Sequence, residues 1–213
     1  MDRGMTMRAG ILIGLSAAAL AGCAEMRPRG IVQSPGQDWR AVASPGDRVR
    51  MSEWRSAFVT GLKQARAAGK GAAIDAQGAL LMPDAAVMGP AIPAGEYRCR
   101  IVKLGMKSPG MLPYVAYPPF ACRVQPMQGL QQFAKLTGSQ RPVGLLFPGD
   151  QLRSIFLGTL VLGDETRAMQ YGHDPERDLA GFIERIGPQR WRMLLPAPAF
   201  ESLIDVIEIV PAG

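Results

Sequence analysis

One histidine, His173, stands in the whole chain, inside Y-G-H-D-P-E-R-D. A nucleophilic triad or a multi-histidine metal centre therefore has a single imidazole to draw on. No G-x-S-x-G elbow, phosphate-cradling glycine loop or H-E-x-x-H pair accompanies it. Carboxylates remain for acid–base work. Asp164 and Glu165, in L-G-D-E-T, and Glu184, in F-I-E-R-I, could act as a glycosidase-type pair if the fold set their separation. Arg167 and Arg185 stand close enough in sequence to neutralise them instead. Asp174, Glu176 and Asp178 place oxygen ligands at alternate positions, as a calcium loop would. Arg177 interrupts them and no glycine defines the turn, so a solvated polar turn is expected, with no metal. Gly138 to Arg141, G-S-Q-R, offers backbone N–H groups and a guanidinium to an anion, although glycine and serine there also suit a hairpin. Arg141, Arg153, Asp164 and Glu165 are accordingly the candidate binding residues, and no catalytic residue or cofactor is assigned.

The three cysteines set the address. Arg3 and Arg8 precede an apolar, Ala/Gly-rich run from Ala9 to Ala21, too short to span a bilayer and laid out like a signal peptide. The run ends in Leu20-Ala21-Gly22-Cys23, which resembles the bacterial lipobox. That resemblance implies cleavage before Cys23, acyl chains on its sulfur and new amine, and, with Ala24 rather than Asp following, the periplasmic face of the outer membrane. Two or more chains anchor stably where one binds reversibly. An ordinary signal peptide with an incidental cysteine is the plainer alternative. Cys99 lies in Y-R-C-R-I and Cys122 in F-A-C-R-V. Tyr97, Cys99 and Ile101 share one strand face, as do Phe120, Cys122 and Val124. In an oxidising compartment, with Cys23 consumed by lipid, the pair reads as a disulfide rather than as two buried thiols.

The elements that must position these residues can be read from periodicity. Residues 1–22 form the leader and 23–43 a tether, in which Trp39 is costly to leave in water and is expected to dock. A helix is predicted over 44–69: Ser44 caps, Pro45 fits the first turn, Asp47 meets the dipole, and Met51, Trp54, Phe58, Leu62 and Ala65 make one apolar stripe. Residues 70–95 read as an irregular connector with at most a short helix near Ile74 and Leu80. From 96 to 211, strand-like runs alternate with turn signals, E-T-R-A-M-Q-Y included. The expected fold is mainly β with an N-terminal helix, an antiparallel up-and-down meander closed into a small β-barrel within a single domain, 44–213; a two-sheet sandwich is the alternative.

The chain carries 24 Lys and Arg against 18 Asp and Glu, a net +6 with pI near 9.6. The basic residues are dispersed, so no nucleic-acid partner is expected, while anionic headgroups or acidic partners fit. The segments D-W-R-A-V-A, Y-R-C-R-I-V-K-L-G, K-L-T-G-S-Q-R-P, F-L-G-T-L-V-L-G-D-E, E-R-I-G-P-Q-R-W-R and F-E-S-L-I-D-V-I-E together resemble a family of bacterial envelope proteins known as domain of unknown function 4893. The resemblance implies one domain and transfers no catalytic residue. The functional expectation is a non-catalytic lipoprotein binding another envelope protein or a wall component. A ligand-binding barrel and a carboxylate hydrolase using Asp164, His173 and Glu184 are the alternatives.

Overall fold

A computed structural model of the chain describes residue 1 and residues 36–213. The leader, the lipobox and Cys23 lie outside the described residues. Nine strands follow a short helical segment: β1 (Gly95–Leu104), β2 (Tyr114–Ala116), β3 (Phe120–Met127), β4 (Leu130–Lys135), β5 (Gln140–Phe147), β6 (Arg153–Leu162), β7 (Asp178–Gly187), β8 (Arg190–Pro196) and β9 (Ile204–Pro211). Each strand from β3 onward pairs antiparallel with the next, and β9 returns to β1 along eight residue pairs, from Tyr97 opposite Pro211 to Leu104 opposite Ile204. Eight strands thus close a barrel. β2 is the extra one, pairing with the end of β1 on the side that β3 occupies lower down.

The interior is filled by alternate side chains that stack in register. Phe133, Phe156, Ile183, Met193 and Ile207 are buried there with the disulfide that joins Cys99 and Cys122, whose Cα atoms are 6.0 Å apart. Phe133 and Phe156 meet edge to face at 6.2 Å, a favourable arrangement for their ring quadrupoles. Room for them comes from Gly144 and Gly158, which face each other across β5 and β6. A Cβ on Gly144 would lie 2.6 Å from the Gly158 Cα. One end of the barrel is plugged: Ile92, from the connector, joins the interior cluster, and the Tyr97 hydroxyl donates to the Pro93 carbonyl at 2.6 Å.

Which wall the helices cover is written in the strands. β3 alternates exposed and buried residues, because its outer face meets water, whereas β6, β7 and β8 are buried almost throughout. Against the second wall pack α1 (Trp39–Val42), α2 (Pro45–Ser52), α3 (Trp54–Ala67), α4 (Gly71–Asp75) and a 3₁₀ turn at Gly78–Leu81. The helix expected over 44–69 is two: the backbone at Glu53 leaves helical values (φ −91°, ψ 4°), so α2 and α3 each follow the curved wall. The Ser44 side chain caps α2 as expected, and Met51, Trp54, Phe58 and Ala65 are buried. Trp39 docks on the same outer cluster. Fully burying Phe58 contributes roughly 2–3 kcal/mol.

The stretch E-T-R-A-M-Q-Y is not a strand. Residues 163–177 form a loop, because polar contacts outcompete the ladder there: Glu165 pairs with Arg177, and Tyr171 turns in to donate its hydroxyl to the Asp47 carboxylate beneath α2. β2, which the sequence did not announce, is three residues long because Pro118 and Pro119 follow it and cannot donate to a neighbour.

Candidate functional site

The barrel end where the loops 105–113, 117–119, 136–139, 163–177 and 197–203 gather is its mouth. The inward alternation that gives Cys99 and Ile101 on β1 also gives Lys103, and the alternation of Ile207 and Ile209 gives Asp205. Both charges therefore sit at the top of the filled interior. Lys103 is 5% exposed and its Nζ lies 2.9 Å from Glu201, 3.5 Å from Asp205 and 3.3 Å from the Gln140 side-chain oxygen. Burial alone would lower Lys103, but Asp205 and Glu201 outweigh it and hold the ammonium above its ordinary value. Burial lifts Asp205 above the usual carboxylate range against the pull of Lys103 and of the Ser202 hydroxyl, which donates to it.

Lys135, at the end of β4, completes the group. Its Nζ donates to the Gln140 carbonyl at 2.7 Å and lies 4.2 Å from the centre of the Phe120 ring. Among the described residues it makes no ion pair. Burial, then the neighbouring charges of Lys103 and Arg141, push it below the ordinary lysine value. Beside it the wall is open. β1 pairs with β3 only as far as Cys99 and with β2 from Val102, and Pro118 and Pro119 bridge the interval without N–H groups, so β4 has no strand to follow beyond Lys135. The resulting slot has a volume of about 460 Å³ and is lined by Tyr117, Phe120, Lys135, Gln140, Lys103 and Glu201, among others. The axial opening beside it, under Phe200, holds only about 20 Å³, space for about one water.

The residues singled out in the sequence do not form one site. Arg141 and Glu165 lie at the mouth, where Arg141 donates to the carbonyls of Gly138, Gly163 and Glu165 at 2.6 Å each and clamps two loops together. Glu165 accepts from the Leu162 N–H and from Arg177, and both contacts hold its carboxyl below the ordinary value. Asp164 is exposed at the tip beside them. Arg153 is at the other end. It donates to Glu184 at 2.6 Å and stacks over Trp54.

Glu184 is fully buried on the outer wall, and Arg192 grips its other oxygen at 2.7 and 2.9 Å. The Arg192 guanidinium, itself fully buried, also donates to the carbonyls of Leu80, Met82 and Pro83 at 3.0, 2.7 and 2.7 Å. Glu184 therefore fastens the connector to the barrel. It faces helices, not a cleft, and lies six residues along β7 from Asp178, roughly 20 Å from the loop that carries Asp164 and His173. Those three groups do not converge.

The acidic stretch 174–178 is also accounted for. Asp178 accepts from the Gly172 N–H with both oxygens at 3.0 Å, and Asp174 accepts from Glu176 N–H and pairs with Arg177. Among the described residues no group of three or more metal-ligating side chains converges.

The mouth residues Lys103, Lys135, Gln140, Glu201 and Asp205 went unremarked in the sequence, although a signal was present. Two steps beyond Ile101 and two before Ile207, the inward positions change from apolar to charged at the strand ends.

Fold and site together define an eight-stranded antiparallel barrel, walled on one side by helices, filled inside and open through a slot at one end. The chain belongs to the family described as Domain of unknown function (DUF4893), whose model matches residues 39–209, from α1 into β9, so helices and barrel form the family's unit together. No curated protein and no solved structure matches the chain.

Proposed function

We propose that the protein is a lipid-anchored envelope protein, held by acyl chains on Cys23 at the periplasmic face of the outer membrane, whose barrel binds another envelope protein or a wall component without turning it over. The observation that carries the binding role is the slot: a recess in the size range of ligand sites with a half-buried lysine that makes no ion pair among the described residues. The hydrolase alternative loses its support, because Glu184 is committed to Arg153 and Arg192 and stands far from Asp164 and His173. The slot's volume does favour the ligand-binding barrel as a second reading, with the same residues recognising a small molecule.

The test uses the full chain purified in detergent, mixed separately with isolated cell-wall sacculi and with solubilised envelope proteins. Retention that is lost in Lys135→Gln, with no soluble fragment released from the wall, is the expected result. Fragment release that stops in Glu184→Gln with folding intact would establish the hydrolase instead.

A further inference from the structure

Among the described residues, Lys135 is the slot-lining lysine without an ion pair, and one side of the slot is apolar. The charge of Lys103 is already met by Asp205 and Glu201, and Arg141 spends its donors on three carbonyls. Lys135 Nζ has one hydrogen-bond acceptor, the Gln140 carbonyl, and a ring face, although an ammonium can donate three times. A negative group at the slot would give it a partner and relieve the repulsion from Lys103 and Arg141. A second negative charge is disfavoured, because Glu201 lines the same slot. A single charge on a planar two-oxygen group thus fits better than a phosphate dianion.

The walls select what carries that charge. Tyr117, Pro118, Pro119 and Phe120 line one side of the slot. Tyr117 is exposed there, and Met111, Leu112, Leu136, Met169 and Phe200 are exposed on other loops or margins of the same barrel end. The apolar side of the slot, Tyr117 to Phe120, offers a surface for an apolar group.

We propose that the slot is a receptor for a monocarboxylate carried on an apolar body, the carboxylate docking on Lys135 Nζ and the body lying along Tyr117, Pro118, Pro119 and Phe120. The inference rests on the binding role proposed above and names the chemistry that the mouth recognises. Two sources offer it: a free acyl or aryl acid, and the terminal carboxylate of a peptide ending in an apolar residue.

Saturation-transfer NMR on the full chain in detergent separates them, with octanoate and N-acetyl-leucine as probes, each beside its uncharged amide, and with methyl phosphate as the competing anion. At least one acid should bind, its amide at least tenfold more weakly. Lys135→Gln should abolish that preference, Lys135→Arg should keep it, and Lys63→Gln, on the outer side of α3, should leave it unchanged. Binding of N-acetyl-leucine alone identifies a peptide terminus, and binding of octanoate alone an acyl acid. Equal binding of acid and amide, an unaltered preference in Lys135→Gln, or tighter binding of methyl phosphate would each overturn the inference. If neither acid binds while the chain is still retained on wall or envelope proteins, the carboxylate assignment falls and the binding role stands.

Discussion

Replacing Glu184 with glutamine isolates what the buried ion pair contributes, because the side chain keeps its size and loses only its charge. Glu184 and Arg192 are both inaccessible to water, and the carboxylate is held by three N–H donors at 2.6–2.9 Å. Burial pulls Arg192 below the usual arginine value and Glu184 opposes that pull, so neutralising Glu184 leaves a guanidinium buried without a counter-charge. Breaking such a pair by removing one partner costs about 3–5 kcal/mol. The lower end applies here, since the glutamine oxygen still accepts and Arg153 is exposed enough to find water. In a domain of this size about 3 kcal/mol lowers the melting temperature by roughly 6–12 °C. Differential scanning calorimetry of Glu184→Gln, Arg192→Met and the double variant measures it. Arg192→Met should cost as much or more by itself, because the connector carbonyls of Ala79, Leu80, Met82 and Pro83 lose their donor. The coupling energy of the cycle should reach about 2 kcal/mol. A melting temperature within about 2 °C of the parent's, or a coupling below about 0.5 kcal/mol, would refute the structural role and return Glu184 to the list of groups free for chemistry.

Removing the Cys99–Cys122 bridge as the double alanine variant should lower stability by about 3 kcal/mol, the chain-entropy contribution of a 23-residue separation, read as a shift in the denaturant midpoint; an unchanged midpoint would contradict it. Glu208 sits between Arg100 and Arg190; burial would raise its pKa, but the two guanidinium contacts outweigh burial and depress it. Its contribution is therefore present above the unfolded carboxyl's value, about 4.3, and lost as pH falls through the lower folded value, so the stability gap between the parent and Glu208→Gln should narrow between about pH 6 and pH 3. Gly61 of α3 packs on Leu104, where a Cβ would meet the Leu104 backbone carbon at 3.1 Å; Gly61→Ala should push α3 off the wall, despite the better helix propensity of alanine, and lower the melting temperature. Cys23→Ser should shift the protein from the membrane fraction to the soluble one, and unchanged partition would refute the anchor.

The barrel was legible because a closed meander depends on local signals. Apolar alternation around Cys99 and Cys122 gave two strand faces, and the turns at Gly138, Gly149 and Gly187–Pro188 gave the hairpins β4–β5, β5–β6 and β7–β8. The helix stripe was legible for the same reason, yet its break at Glu53 was not, since the bend answers the curvature of a wall formed by strands far along the chain, from β1 to β9. Glu184 illustrates the deeper limit. In F-I-E-R-I it reads as a charge beside Arg185, but the strand register sets it opposite Arg153 and Arg192, and only the folded connector supplies the carbonyls that bury Arg192. The slot was equally hidden. Pro118 and Pro119 announce a break, but that the break opens onto Lys135 follows from β1 dividing one edge between two strands.

The position of the chain's entry gives this architecture a direction. Gln37 to Arg40 line a recess of about 410 Å³ together with Pro148, Gly149 and Asp150, the turn between β5 and β6, at the plugged end of the barrel. The mouth is thus at the far end from the side on which residues 23–36 join the domain. Fourteen residues reach at most about 50 Å when extended, and with an anchor at Cys23 the slot would stand at the barrel end away from the tether's attachment. An apolar rim at the tethered end would be satisfied by the lipid surface beneath it. At the opposite end the same apolar side of the slot would face water, where a bound partner would cover it. The proposed recognition is assigned to the mouth because Lys135 stands there without an ion pair among the described residues, and the proline break that spoils the ladder is what makes room beside it.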